Sequence, residues 1–179
     1  MSIKLVSWNV NGIRAVAKKD EFWDWFDNTD ADIINFQEVR ATQDKIPKKL
    51  ADIEGFHTHF NEAERKGYSG VATYSKIEPI EITRDLGVEE LDNEGRVLRI
   101  EYPDFILYNI YFPNSGMGAK RLDFKVAFCD ALLEQLVITC VTKHDDAVSS
   151  EPKNVLSEKT VEQKRIGVFS NPYLISVVK

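Results

Sequence analysis

Two asparagines and one glutamate stand where two neighbouring strands of the predicted fold end. Asn9 and Asn11 follow the apolar run 3–6, and Glu38 follows the apolar run 33–36. The short span between the runs predicts a right-handed strand-helix-strand unit, so both strands end at the same edge of a sheet. Amide and carboxylate oxygens are the ligands that a hard cation prefers, and the spacing indicates a candidate metal site. The same residues are also typical of an ordinary strand-to-helix turn and a solvated glutamate.

The helix of this unit is predicted to begin at Asp20, because Asp is a good N-cap and one apolar stripe follows it. A short helix is predicted over residues 45–53. Four strands are then expected, at residues 71–74, 80–83, 96–101 and 105–111. The last of these is apolar on both faces, which is typical of a central strand.

The next segment combines a helical pattern with a β-branched run. Residues 122–136 carry an apolar stripe that predicts a helix packed on the core. The stripe consists of Leu122, Val126, Cys129, Leu132, Leu133 and Leu136. Residues 137–141 are apolar and β-branched, and they predict a further strand.

Composition narrows the class of protein. The 179 residues are 43% hydrophobic, enough for one substantial core. The net charge of -6 disfavours an indiscriminate nucleic-acid binder but permits a local positive surface. Cys129 and Cys140 lack a metal-binding spacing and are expected to be buried thiols in a reducing compartment. Without a secretion-signal pattern or a run of about 18 apolar residues, we expect a soluble cytoplasmic protein that does not enter a membrane.

Five short motifs resemble exonuclease III and the related apurinic/apyrimidinic endonucleases, in the order and spacing of that family. The resemblance covers about residues 3–136, and five ordered motifs are far more specific than one. The motifs are Ser-Trp-Asn-Val-Asn-Gly-Ile-Arg-Ala (7–15), Phe-Gln-Glu-Val-Arg (36–40), Gly-Tyr-Ser-Gly-Val-Ala (67–72), Glu-Gly-Arg-Val (94–97) and Tyr-Phe-Pro-Asn-Ser-Gly (111–116).

The resemblance implies an α/β fold, a sandwich of mixed β-sheets with outer helices. The first half of that fold is expected to be largely intact and the second sheet incomplete. We expect residues 1–141 to form the nuclease-like domain and residues 142–179 to be a divergent polar tail that packs on the open sheet. An inner sheet face left uncovered predicts self-association.

The resemblance also implies roles for five residues of the candidate site. Glu38 would bind Mg²⁺, or Mn²⁺ in its place, with Asn11 in the outer shell of the ion. Asn9 would orient the site, and Tyr111 and Asn114 would contact the scissile phosphate. An uncharged donor suits this task, since it stabilises charge on the phosphate without competing for the metal.

Six further residues would contact double-stranded DNA with abasic or 3′-end lesions. Tyr68 and Arg96 would bind backbone phosphates. Gly116 and Met117 belong to a loop that would insert into the bent duplex. Lys120 and Arg121 would contact phosphates further along the backbone. Each also has an ordinary interpretation, as a core tyrosine, a solvated arginine or a basic first turn of a helix. The residues are Tyr68, Arg96, Gly116, Met117, Lys120 and Arg121.

The second half of the motif set that the resemblance implies is missing. The sequence contains neither Gly-Asp-x-Asn nor an Asp-His pair, and Val-Thr-Lys-His stands at 141–144 instead. His144-Asp145-Asp146 has suitable residue types in the wrong order. Losing a catalytic base costs about 10²–10⁴-fold in rate, so weak or no turnover is expected. A non-catalytic DNA-binding remnant and a phosphodiesterase acting on a small phosphoester are the alternatives.

Overall fold

The computed structural model describes residues 3–149, 165–169 and 176–178, with side chains as far as residue 138. The described residues fall into two compact units, one within Met1–Phe112 and Ile166–Lys179 and the other within Pro113–Arg165. The strands are β1 (Ile3–Asn9), β2 (Ile33–Gln37), β3 (His57–Asn61), β4 (Val71–Ser75), β5 (Glu81–Thr83), β6 (Val97–Glu101), β7 (Phe105–Ile110), β8 (Arg165–Phe169) and β9 (Ser176–Val178).

Helices connect these strands. They are α1 (Ile13–Val16), α2 (Asp20–Asn28), α3 (Lys48–Ala51), α4 (Glu89–Asp92) and α5 (Leu122–Ser149), with short 3₁₀ turns at Gln43–Lys45 and Met117–Ala119. Helix α2 begins one residue earlier than its predicted cap implies: Lys19 is the N-cap, without a side-chain cap hydrogen bond, and Asp20 is the first helical residue. Across the described part of the chain, no helix is both long and apolar enough to cross a membrane.

The first sheet contains the predicted parallel pair. Its strand order is β3-β4-β2-β1-β9, and β1 runs parallel to β2, with Asn9 opposite Gln37. The other pairings in this sheet are antiparallel. Every residue of β2 is buried, as expected for a strand covered on both faces. The strand ends that carry Asn9 and Glu38 therefore lie side by side.

The second sheet has the order β5-β6-β7-β8, with antiparallel pairing along β5, β6 and β7. One apolar cluster fills the space between the sheets and includes Leu5, Leu98 and Leu107. A second cluster covers the opposite face of the first sheet, where α2 packs Phe22 and Phe26 against it. The predicted fold class, mixed β-sheets with outer helices, is confirmed.

A buried polar network crosses the space between the sheets. Asn109 of β7 is fully buried, and its amide nitrogen donates to the carbonyl oxygen of Ala72 at 2.9 Å and to Oγ1 of Thr73 at 3.1 Å. Its amide oxygen accepts a hydrogen bond from Nε2 of Gln37 at 2.7 Å. The same Gln37 nitrogen also donates to Ser7, 3.0 Å away. Because buried polar groups need specific partners, this network fixes how the two sheets meet.

Two expectations for the region after residue 121 are wrong. Residues 137–141 continue helix α5, because each β-branched residue lowers helix stability by only about 0.5 kcal/mol. Within the predicted core stripe, Leu122, Val126 and Leu133 are 46%, 49% and 61% exposed, whereas Leu132 is buried. Apolar residues occur around much of this helix, so their spacing could not identify the buried face.

The boundary predicted at residue 141 stays a prediction, and the side chains of His144-Asp145-Asp146 lie outside the described residues.

Candidate active site

Glu38 directly follows β2 in a segment held by backbone hydrogen bonds on both sides. On one side its carbonyl oxygen accepts from Gly12 N at 2.8 Å. On the other, Val39 N donates to the carbonyl oxygen of Gly70 at 3.0 Å, and Arg40 N donates to that of Ser69 at 2.8 Å. The loops after β1 and before β4 therefore hold the Glu38 backbone in one position.

Backbone strain is concentrated around this segment. Among the described residues, five that are not glycine have a positive φ, and four of them are Asn11 (46°), Glu38 (55°), Arg40 (51°) and Ser69 (48°). Such left-handed conformations cost non-glycine residues about 1–2 kcal/mol each. Strain of this kind persists where the surrounding structure imposes it, and it gathers at functional sites.

Asn9 and Asn11 lie at the same edge of the sheet as Glu38. The side-chain oxygen of Asn9, which is half-buried, accepts a hydrogen bond from the backbone N–H of Asn11 at 3.0 Å. The neighbouring residue Gly12 donates to the Glu38 backbone. The backbone segments that carry the two amides and the carboxylate are thus adjacent, at the strand edge where the sequence spacing placed them.

Tyr111 joins this group from the second sheet. It follows β7, and its phenol lies close enough to the Glu38 carboxylate to be influenced by its charge. Burial raises the pKa of the Tyr111 phenol, and the negative charge of Glu38 raises it further, while the cation of Arg96 acts in the opposite direction. The raised pKa keeps the phenol protonated, so at neutral pH it is an uncharged hydrogen-bond donor.

Arg40 is a member of the site to which the sequence analysis gave no role. Its guanidinium forms an ion pair with the Glu38 carboxylate, whose side chain is 15% exposed. Gln37 and Asn109, which link the sheets beneath Glu38 and Tyr111, were also missed. A polar residue inside an otherwise apolar strand was the signal that could have found them.

Tyr68 and Arg96 lie in contact with each other and with Tyr111. Nη2 of Arg96 donates to the Tyr68 hydroxyl at 3.1 Å, and Nη1 donates to the carbonyl oxygen of Tyr111 at 2.9 Å. Arg96 is only 3% exposed, so its guanidinium faces the interior and lies behind the tyrosines.

The remaining predicted residues belong to the second compact unit and are described within it. The side-chain oxygen of Asn114 accepts from the backbone N–H of Gly116 at 3.1 Å. Met117 is 92% exposed, and Lys120 is exposed as well. The guanidinium of Arg121 lies 4.3 Å from the ring centroid of Phe124. The DNA contacts assigned to these residues stay predictions.

The donor set at Glu38 fits a hard divalent cation that keeps part of its water shell. Within the described ranges, no group of three or more His, Cys, Asp or Glu residues is arranged to hold a metal ion. Mg²⁺ commonly binds through one or two carboxylates together with water and substrate phosphates. Glu38 supplies one such carboxylate, which forms an ion pair with Arg40 in this structure, and the described residues around it form no closed cage.

The comparisons with known proteins agree with this geometry. Residues 6–163 match the Endonuclease/Exonuclease/phosphatase family, and the chain belongs to that family. It is 40% identical over 135 residues to an exodeoxyribonuclease of Bacillus subtilis, covering 75% of this chain and 52% of the relative. It is 43% identical over 129 residues to the DNA repair nuclease APEX1 of Danio rerio, covering 69% and 40%. The resemblance to exonuclease III and the apurinic/apyrimidinic endonucleases is confirmed.

A solved structure shows the same similarity in three dimensions. The chain superimposes on the catalytic domain of Xenopus laevis APE2 with a TM-score of 0.62 at 30% sequence identity. The match covers 73% of this chain and 52% of that structure. The chain therefore spans about half the length of the relatives it matches.

Proposed function

We propose that this chain is a DNA-repair nuclease of the exonuclease III type that binds a divalent cation and DNA phosphates but turns over weakly or not at all. The observation that carries the proposal is the closeness of Tyr111 to Glu38, whose charge raises the pKa of the phenol, beside the Asn9–Asn11 turn. It joins an uncharged donor for a phosphate to a carboxylate suited to a hard cation.

Each residue of the site has a distinct role in this proposal. Glu38 binds Mg²⁺ or Mn²⁺, with Asn11 in the outer shell. Asn9 holds the Asn11 backbone and orients the edge of the sheet. When bound, the cation supplies charge compensation for the phosphate oxygens.

Tyr111, an uncharged phenol next to Glu38, would donate a hydrogen bond to the phosphate. Asn114 supplies a second uncharged donor. Preorganised donors of this kind stabilise developing charge without reorganisation.

DNA is the proposed partner, and duplexes with abasic sites or 3′-end lesions are the proposed substrates. The names of the relatives support this, since they include a DNA repair nuclease and a DNA-(apurinic or apyrimidinic site) endonuclease. The DNA phosphates are proposed to be bound by Tyr68, Lys120 and Arg121. The loop that enters the bent duplex is proposed to be formed by Gly116 and Met117. An acidic chain needs such local contacts, because its net charge of -6 repels the backbone.

Weak turnover follows from the groups that this sequence lacks. No Gly-Asp-x-Asn motif is present to supply a base for the attacking water. The proposed donors can bind and orient a phosphate, but they do not activate a nucleophile. A rate at least about 10²-fold below that of a complete relative is expected.

A duplex carrying an abasic-site analogue and a fluorescent label tests the proposal. Cleavage in Mg²⁺ is compared with that of the Bacillus subtilis relative, and binding in EDTA is measured by anisotropy. We expect tighter binding of the abasic duplex than of an intact duplex, and weak cleavage that Glu38→Gln abolishes. Glu38→Gln keeps the side-chain size while removing the charge, so binding in EDTA should persist.

Three other outcomes would overturn parts of the proposal. Cleavage at the rate of the relative contradicts weak turnover. Neither binding nor cleavage contradicts the DNA assignment altogether. Hydrolysis of a small aryl phosphodiester without any DNA binding favours a phosphodiesterase for small substrates.

A further inference from the structure

Arg96 is a buried cation that contacts three different groups at the edge of the candidate site. It lies directly before β6 and is 3% exposed. Its Nε donates to Oε2 of Glu94 at 2.6 Å, its Nη1 to the carbonyl oxygen of Tyr111 at 2.9 Å, and its Nη2 to the Tyr68 hydroxyl at 3.1 Å. Each nitrogen of the guanidinium therefore has a different partner.

The same guanidinium also lies against both tyrosine rings. Its carbon is 4.7 Å from the ring centroid of Tyr111 and 5.7 Å from that of Tyr68. In return, the backbone N–H of Tyr111 donates to the carbonyl oxygen of Arg96 at 2.9 Å. Tyr111 is thus fixed at its backbone N–H, its carbonyl and its ring, all by one residue.

The geometry explains how the phenol is aimed. With the backbone and ring held by Arg96, the phenol stays close to Glu38, whose charge it senses. A planar guanidinium can donate in several fixed directions and stack on a ring at the same time, which an ammonium cannot. To reach a DNA phosphate, Arg96 would have to break three hydrogen bonds and leave its buried position.

We propose that Arg96 is a positioning residue that orients the Tyr111 phenol toward Glu38 and couples it to Tyr68, and that Arg96 does not itself contact DNA. This inference deepens the proposed function, since it rests on Tyr111 as the phosphate donor. It replaces the phosphate contact that the resemblance implied for Arg96. Tyr68, on the loop before β4, is the residue through which a bound duplex can influence Tyr111.

The ring contact gives a signature that a purely structural role would not produce. The Arg96 guanidinium carbon lies 4.7 Å from the ring centroid of Tyr111. Removing that cation while the fold is kept must therefore change the electrostatic environment of the ring. Loss of global stability alone would leave the signal of the folded protein unchanged.

The first test uses the protein without DNA or metal. Tyrosines are replaced by 3-fluorotyrosine, and the Tyr111 signal is assigned by its loss in Tyr111→Phe. We expect Arg96→Met to move the Tyr111 ¹⁹F signal. Arg96→Lys keeps the charge but not the planar guanidinium, so it should not restore the position of the signal.

Arg99→Met is the matched control. Arg99 lies on β6, is 12% exposed and bonds Glu81 and Glu101 at 3.0 Å each, so its loss also removes ion pairs, one of them with the buried Glu101. It should leave the Tyr111 signal unchanged. An unchanged Tyr111 in Arg96→Met, or an equal change in Arg99→Met, would overturn the inference. If Arg96→Met does not fold, the same comparison is made with Arg96→Lys, whose signal position must still differ.

The second test separates positioning from phosphate binding. Loss of a phosphate contact lowers the slope of log Kd against log salt by about 1. We expect Arg96→Lys and Arg96→Met to keep the native slope for an abasic duplex, and Lys120→Met to reduce it. A reduced slope in Arg96→Met would show a direct phosphate contact and refute the inference. Absence of DNA binding would refute the proposed function instead, while the position of the Tyr111 fluorine signal would still test the role of Arg96.

Discussion

The negative charge of the Glu38 carboxylate raises the pKa of the Tyr111 phenol, although the two residues follow strands of different sheets. Glu38 extends from β2 and Tyr111 from β7, and the two strands are joined beneath them by the bond from Gln37 to Asn109 at 2.7 Å. The packing of the sheets therefore determines the distance between the two groups. A change in that packing should reach the site.

Replacing Asn109 tests this dependence. Asn109→Ala removes hydrogen bonds to Ala72, Thr73 and Gln37 and leaves buried groups without partners. We expect a loss of about 2–4 kcal/mol in the free energy of unfolding, since each buried group left unsatisfied costs about 1–3 kcal/mol. Urea denaturation measures it. Asn28→Ala, which removes one exposed bond to Asp24, should cost less than about 1 kcal/mol; equal losses would contradict the role of the network.

Two substitutions at Glu38 separate its side chain from its backbone. Glu38 has a φ of 55°, a conformation that glycine adopts freely and alanine does not. Glu38→Gly and Glu38→Ala both remove the carboxylate, and both should abolish Mn²⁺ binding in calorimetry. The glycine variant should be the more stable by about 1 kcal/mol. An alanine variant at least as stable as the glycine variant would argue against a strained backbone at this residue.

Gly95 precedes Arg96 at a place where a side chain does not fit. It has a φ of 56°, and an added Cβ would lie 2.4 Å from the carbonyl carbon of Glu62. Gly95→Ala should lower the free energy of unfolding by about 2–5 kcal/mol, through overpacking and backbone strain together.

Gly55→Ala is the control for Gly95, because Gly55 has a φ of 81° with nothing within 4 Å of the added carbon. It should lose only the backbone term, about 1–2 kcal/mol. Thermal melts of the two variants provide the comparison. Equal shifts in melting temperature would mean that the loop after α4 accommodates the added Cβ of Gly95→Ala without a further loss of stability.

Tyr74 should make the protein sensitive to alkali. Its hydroxyl is buried without a hydrogen-bond partner among the described residues, and burial raises the pKa of its phenol. A pKa raised by folding stabilises the protein fully below the pKa of the unfolded tyrosine, about 10, and that contribution is lost as the pH rises above it. Burial likewise raises the pKa of Tyr102 to about 12.

We therefore expect stability to be level through neutral pH and to fall above pH 10. Tyr74→Phe should add about 1 kcal/mol at pH 7 by removing the unsatisfied hydroxyl, and it should lose less stability in alkali. Urea midpoints between pH 7 and pH 11 measure both effects. A variant less stable than the native chain at pH 7 would reveal a hydrogen bond at that hydroxyl.

The first sheet and its site edge could be predicted from sequence because their signals are local. The βαβ spacing fixed the parallel pairing of β1 and β2 and so the proximity of Asn9, Asn11 and Glu38. The motifs added Tyr111, whose contact with Glu38 joins two sheets and has no local signal.

Other features depended on tertiary structure that spacing does not contain. The burial of Arg96 arises from Tyr68 and Tyr111, which are distant in sequence, so its charge alone suggested an exposed contact. The sequence predicted that helix α5 ends before residue 137 and that a strand follows. The prediction was wrong because a β-branched run is a weak strand signal once a helix has begun.

A titration with Mn²⁺, followed by NMR, tests the central claim. The claim is that the strand ends carrying Asn9, Asn11, Glu38 and Tyr111 form one site that binds a cation and a phosphate. The paramagnetic ion broadens the signals of nuclei near it. The account predicts that the side-chain amides of Asn9 and Asn11 and the ring of Tyr111 broaden first in the native protein and stay sharp in Glu38→Gln. Broadening that begins elsewhere, or that persists unchanged in Glu38→Gln, would contradict it.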